Sequence, residues 1–291
     1  MTTRPPGAAT SSFRGQLSLG LTLALIAPLV LLLAWAFFLP ITRLLLTSVT
    51  DPTLGIGNYR RLWTEPLYLH VILRTIWIAL ACTAGALLLG YPVAALMARP
   101  NHVLGKLAAV CVLVPLWTST LVRSYAWIAL LERRGVINNA LMDLGLISSP
   151  LTLLYTDGAV LVAMTHVLMP FMILPIFSSL RSLSADLPNA ALSLGATRLR
   201  VFFSVVLPLS LPGVFAGCLL VFVMSLGFYV TPALVGGPHS LMIATLIGQQ
   251  ATELLDWPFA GAISCLLLVL SMGITLAFKR LLRLDRLVAH D

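Results

Sequence analysis

The stretch Asn189–Pro208, NAALSLGATRLRVFFSVVLP, interrupts a chain that is otherwise built from long apolar runs. Small residues, one glycine, two arginines and a closing proline make a poor bilayer span, and twenty residues cannot enclose a core of their own. The segment is therefore a connection between two greasy neighbours. Its surroundings determine which side of a membrane it occupies, and its composition determines what could pack on it.

Of the 291 residues, 59% are hydrophobic and only 10% are charged, too little polar surface for a water-soluble domain. Apolar runs of about 20 residues match the thickness of a bilayer's hydrocarbon core at ~1.5 Å rise per residue. Lipid offers backbone N–H and C=O groups no partner, so these runs are expected to be helices. Six are expected, over Leu17–Leu39, Val71–Ala98, Leu107–Leu131, Ala159–Leu180, Val201–Val230 and Phe259–Leu282. The expected fold class is all-α: a polytopic bundle over residues 17–282, with tails at 1–16 and 283–291. The first run is longer than the apolar core of a secretory signal and no small-x-small cleavage site follows it, so it is expected to stay as a span.

Charge orients the bundle. Arg4, Arg14, Arg99, Lys106, Arg181, Arg198, Arg200, Lys279, Arg280, Arg283 and Arg286 fall in the two tails and the second and fourth connections. The other connections mix Arg43, Arg60, Arg61, Arg74, Arg133 and Arg134 with Asp51, Glu65, Glu132, Asp143, Asp157, Glu253 and Asp256. The basic excess marks the cytoplasmic side, so both termini and the opening stretch are expected there. This topology accounts for the net charge of +8 without nucleic acid as a partner. Cys82, Cys111, Cys218 and Cys265 all fall inside spans, which argues against a disulfide framework and for small packing residues.

The outward connections are more structured than simple loops. Thr50–Leu69 carries Pro52, Gly55, Gly57 and Pro66 with Tyr59, Trp63 and Tyr68, a pattern suited to resting at the membrane interface. Glu132–Gly158 holds apolar residues near helical spacing, consistent with a short surface helix. The run from Thr231 to Pro258 starts with Pro232, Gly236, Gly237 and Pro238 and continues as a half-apolar helix. Such broken backbone is tolerated only under protein or beside an aqueous cavity. Inside the spans, Arg123 and His166 are ionisable, while Pro170, Pro175, Pro208 and Pro212 mark expected bends. For Arg123, snorkelling or a structural pair outweighs cargo contact; for His166, a hydrogen-bonded helix contact does.

Just before the opening stretch, Asp186 is suited to cap a helix and Pro188 to its first turn, and within the stretch Gly195 is suited to the left-handed conformation that ends it. A helix this short is marginal alone, so another surface should cover it. The pattern Asn189-Ala190-Ala191, Gly195, Val205, Leu207 and Pro208 resembles the signature of ABC-importer permeases of type I, E-A-A-x3-G-x9-I-x-L-P, with Asn for Glu and Val for Ile. The resemblance runs from about Leu17 to Leu282. GNYRRLW, GYPVAALMAR, PLWTSTLVRSYAW, GVINNALMDLGLI and YVTPALVGGPHSLMIATLI are most similar to the spermidine/putrescine permease group. Related permeases for ferric iron, thiamine and other organic solutes share much of the scaffold.

The resemblance implies a coupling helix near residues 186–197, with Asn189, Ala190, Ala191, Leu194, Gly195 and Arg198 docking on a cytoplasmic ATPase dimer. It also implies a second permease chain of different sequence, a periplasmic solute-binding protein and residence in a bacterial inner membrane. No phosphate-cradling G-x-x-x-x-G-K-[ST] occurs, so ATP and Mg²⁺ belong to the partner ATPase, and this chain is expected to have no cofactor, metal or catalytic residue. A polyamine cargo could be met by acidic outer loops and by cation–π contacts with Trp117, Tyr125, Trp127 and Tyr229. An ATP-independent secondary transporter would call for deep ion sites or an inverted repeat, and an intramembrane enzyme for HExxH, GxSxG or paired carboxylates; the sequence shows neither set clearly.

Overall fold

The computed structural model describes residues 19–50, 54–99, 102–184 and 186–288. The tail expected over residues 1–16 lies outside them. The chain runs through α1 (Leu19–Thr50), α2 (Gly57–Thr64), α3 (Pro66–Ala98), α4 (Val103–Trp117), α5 (Thr120–Leu131), α6 (Val136–Asp143) and α7 (Asp157–Arg181). It continues with α8 (Asp186–Ser193), α9 (Arg198–Val201), a π turn (Phe202–Val206), α10 (Leu207–Leu226), α11 (Val230–Val235), a 3₁₀ turn (Pro238–Ser240), α12 (Ile243–Thr252) and α13 (Trp257–Val288).

Five continuous stretches are long and apolar enough to cross a bilayer. They are Thr22–Thr50, Pro66–Ala98, Asp157–Arg181, Arg198–Leu226 and Trp257–Arg280. The sixth crossing, expected as one helix over Leu107–Leu131, is instead broken between α4 and α5, with a bend of 107°. Pro115 supplies no N–H to the last turn of α4, and Thr118 N–H donates back to its carbonyl at 3.2 Å. Ser119 then opens α5, its Oγ accepting from Leu121 N–H at 3.3 Å.

The segment between α3 and α7 must nevertheless cross. Arg74 meets Asp157 at 3.6 Å, Gly85 faces Thr165 and Gly90 faces Ile173. α3 and α7 thus run parallel, and the chain between them has to return to the starting end. The first span is also corrected: α1 continues to Thr50, so Arg43 lies on the helix rather than in a connection.

The core is where α3, α7 and α10 meet, around Ile78, Cys82, Ala86, Met164, Leu168, Met172, Ile176 and Val221, all buried. Gly213 and Gly217, one helical turn apart on α10, make this closeness possible. A Cβ at Gly213 would lie 2.6 Å from the Pro175 carbonyl oxygen, and one at Gly217 2.8 Å from Met172 Sδ. Small residues spaced in this way let membrane helices approach closely when lipid supplies no hydrophobic drive between them.

At the end of the bundle opposite α8, a second cluster joins Leu62 of α2 to Tyr68, Val71, Ile243, Leu246, Phe259 and Ile263. Tyr59 holds α2 to α1 through a 2.8 Å hydrogen bond with Ser48. The broken run after α10 is covered by protein: Thr231, Pro232, Val235, Leu246 and Gln250 are buried. The first amides of α12 are satisfied by hydroxyls, Met242 N–H donating to Thr245 Oγ1 at 2.8 Å and Ile243 N–H to Thr75 Oγ1 at 2.9 Å. The expected short helix after Glu132 is α6, pinned by buried Asn138, which bonds both backbone groups of Leu151.

Candidate functional site

α8 joins the ends of α7 and α9 and has no buried residue. Its cap is Ser184 rather than Asp186: Ser184 Oγ accepts from Asp186 N–H at 3.2 Å and donates to Asp186 Oδ2 at 3.0 Å. Asp186 instead supplies negative charge in the first turn, where the helix dipole favours it. Asn189 follows one turn in and is exposed.

The helix ends as its sequence suggests. Gly195 adopts φ +86°. Ala196 N–H reaches the Ala191 carbonyl at 3.1 Å and Gly195 N–H the Leu192 carbonyl at 2.9 Å, the paired bonds of a Schellman cap. Two residues later Thr197 starts α9, its Oγ1 accepting from Arg200 N–H at 3.3 Å. The π turn follows, with Leu207 N–H donating to the Phe202 carbonyl. Pro208 has no N–H to give Ser204, and the wider turn just before it absorbs that loss.

The outcome is a stub with a defined apolar stripe. Leu187, Ala190, Ala191 and Leu194 follow the i, i+3, i+4, i+7 spacing of one helix face. Leu187 is 50% exposed and Leu194 89% exposed. Two leucines flanking two alanines form a shallow seat, and Arg198 and Arg200 stand exposed beside it. Within the chain, α8 packs on α9 and the π turn. Its stripe lies outside the spans and is left uncovered by the rest of the chain.

The aromatic candidates are dispersed. Trp117 ends α4 at the break and is 85% exposed. Tyr125 points away from the chain on α5, whereas Trp127 turns toward α7, where its Nε1–H donates to His166 Nδ1 at 3.3 Å. Tyr229 packs its ring edge on Gly248 of α12. None of the four touches another in the described contacts; residues two apart on a helix, such as Tyr125 and Trp127, face different ways.

A clamp not expected from the sequence closes the end of the bundle opposite α8. Arg61 pairs with Glu65 at 3.2 Å and Asp256 at 3.1 Å, and its guanidinium sits 4.2 Å above the Phe259 ring. Partial burial alone would lower its pKa, but Tyr68, Glu65 and Asp256 outweigh that effect and raise it. The only sequence signal was the mixed charge of the outer connections. The pairing spans almost two hundred residues, so spacing could not show it.

Six crossings around a three-helix core, with an uncovered amphipathic stub between the fourth and fifth, define a polytopic helical membrane protein. Residues 90–284 match the family described as "Binding-protein-dependent transport system inner membrane component". The chain belongs to that family: it is a multi-pass inner-membrane permease subunit of an ABC importer, and a non-catalytic one. It is similar to the spermidine/putrescine transport system permease protein PotB of Escherichia coli (strain K12), 38% identical over 221 residues, 76% of this chain and 80% of that one. It is also similar to the inner membrane ABC transporter permease protein YdcU of the same organism, 34% identical over 306 residues, 97% and 96% of the two chains. A solved bacterial alginate ABC transporter, in complex with alginate pentasaccharide-bound periplasmic protein, shares the fold at TM-score 0.72 and 19% identity, covering 90% of this chain and 93% of that one.

Proposed function

We propose that this permease imports polyamines of the spermidine/putrescine class, and that α8 is the element through which a dimeric cytoplasmic ATPase drives alternating access. The uncovered stripe of Leu187, Ala190, Ala191 and Leu194, held by the Gly195 cap, carries the coupling assignment. Asn189 and Arg198 border the same seat. A rigid stub between α7 and α10 delivers a push into the core without loss in a flexible loop. Arg99, Lys106, Arg181, Arg198, Arg200, Lys279 and Arg280 gather at the end of the bundle that carries α8, which supports a cytoplasmic location for that end and for both termini.

The likeness to PotB supports the cargo class. A second permease of different sequence completes the passage, and a periplasmic solute-binding protein delivers cargo to the end opposite α8; the alginate transporter of like fold is solved in complex with a periplasmic protein. Of the aromatic candidates, Trp117, Tyr125 and Tyr229 offer exposed ring faces to a cation, and Trp127 does so less because its edge is taken by His166.

The test is reconstitution of this chain with its ATPase, second permease and binding protein in vesicles, with labelled spermidine, putrescine, thiamine and ferric iron offered in turn. ATP-dependent and binding-protein-dependent accumulation of a polyamine is expected. Accumulation without the ATPase would refute the coupling assignment, and ATP-driven uptake of thiamine or iron alone would refute the cargo.

A further inference from the structure

Of the two roles expected for the intramembrane arginine, snorkelling is the one its side chain does not take. A snorkelling Arg123 would extend toward the far end of α5, near Leu131. Instead its Nη2 reaches Thr120 Oγ1, at the start of α5, at 3.3 Å, and its Nη1 points at the Val167 carbonyl at 3.4 Å. Val167 lies ten residues into α7, about 15 Å along the helix and so close to the middle of a hydrocarbon core ~30 Å thick. The guanidinium has no carboxylate partner among the described residues, and its Nε is buried without any hydrogen bond.

The neighbours are also polar and uncovered. Trp127, one turn further on the same face, bonds His166, and His166 is itself exposed, as is Val162 one turn before it on α7. A charge at this depth against lipid is expensive unless water or an ion reaches it. Among the described residues no carboxylate lies in the interior of a span; Glu65, Glu132 and Asp157 all sit at helix ends.

We propose that the Arg123–Trp127–His166 face of α5 and α7 lines a water-filled passage at mid-membrane and gives its wall a positive potential. On the polyamine reading, on which this point alone rests, the carboxylates that receive the cargo at this depth then belong to the second permease chain. The face presented by this chain offers a cation no holding site at this depth.

The experiment needs neither cargo nor ATP, so it can fail independently of the transport assay. In the assembled transporter in membrane vesicles, with the four native cysteines replaced by alanine, His166→Cys is treated with an anionic methanethiosulfonate (sulfonatoethyl) and a cationic one (trimethylammonioethyl). Both are membrane-impermeant. Labelling by both is expected, with Leu33→Cys, exposed among apolar neighbours on α1, unlabelled. Because the guanidinium attracts one reagent and repels the other, adding Arg123→Gln should lower the anion-to-cation rate ratio severalfold. If His166→Cys disrupts assembly, Val162→Cys on the same face serves instead. No labelling at either position would overturn the aqueous lining, and a ratio unmoved by Arg123→Gln would overturn the assigned charge.

Discussion

Replacing Gly195 tests the coupling assignment without disturbing the core. Its φ of +86° is open to glycine but strained for residues with a Cβ. A Cβ built there would meet nothing within 4 Å, so the whole effect comes from the backbone and none from packing. For L-residues the left-handed conformation costs about 1–2 kcal/mol, least where a short polar side chain bonds locally, as in Asn. At ~1.4 kcal/mol per tenfold, Gly195→Ala should lower the population of the docked geometry about fivefold and Gly195→Val about thirtyfold, with Gly195→Asn mildest. The assay is ATPase-coupled uptake by the assembled transporter, with thermal unfolding of the isolated permease as a control. Activity should follow the order Gly, Asn, Ala, Val at unchanged melting temperature. If Gly195→Val transported at the wild-type rate, the cap would have no part in transmission.

Leu194→Asp removes the most exposed leucine of the stripe and should weaken ATPase capture in a pull-down about tenfold or more, since burying a leucine contributes ~1.5–3 kcal/mol; the melting temperature should not change. Gly213→Ala forces α10 off Pro175 and should destabilise the permease by about 1–3 kcal/mol, read as a lower melting temperature in detergent, whereas Gly273→Ala, with open space around it, should be neutral or better. Arg61→Met removes two partly exposed ion pairs and a cation–π contact worth together about 1–2 kcal/mol. Its melting deficit should shrink in high salt as the ion-pair share is screened.

Local chemistry made much of this legible in the sequence. Apolar runs located five crossings because hydrocarbon thickness fixes helix length, and the glycine that ends α8 declared itself because only a residue without Cβ takes that conformation cheaply. The break in the third crossing was missed because hydropathy is blind to backbone continuity: Leu107–Leu131 is predominantly apolar, and its break depends on Pro115 together with a capping Ser119. Thr75 serving the first amide of α12 depends on folding contacts 168 residues apart, as does the direction in which Arg123 points.

The glycine seam between α7 and α10 has a mechanical corollary. These two helices straddle α8 in sequence, and where Gly213 meets Pro175 and Gly217 meets Met172 their backbones are nearly in touch. Sliding or prising them apart would strip contacts that no lipid tail could replace. Force applied at the stub therefore cannot be dissipated as play between the helices on either side of it. On the proposed coupling the two would move as one piece, like the tines of a fork.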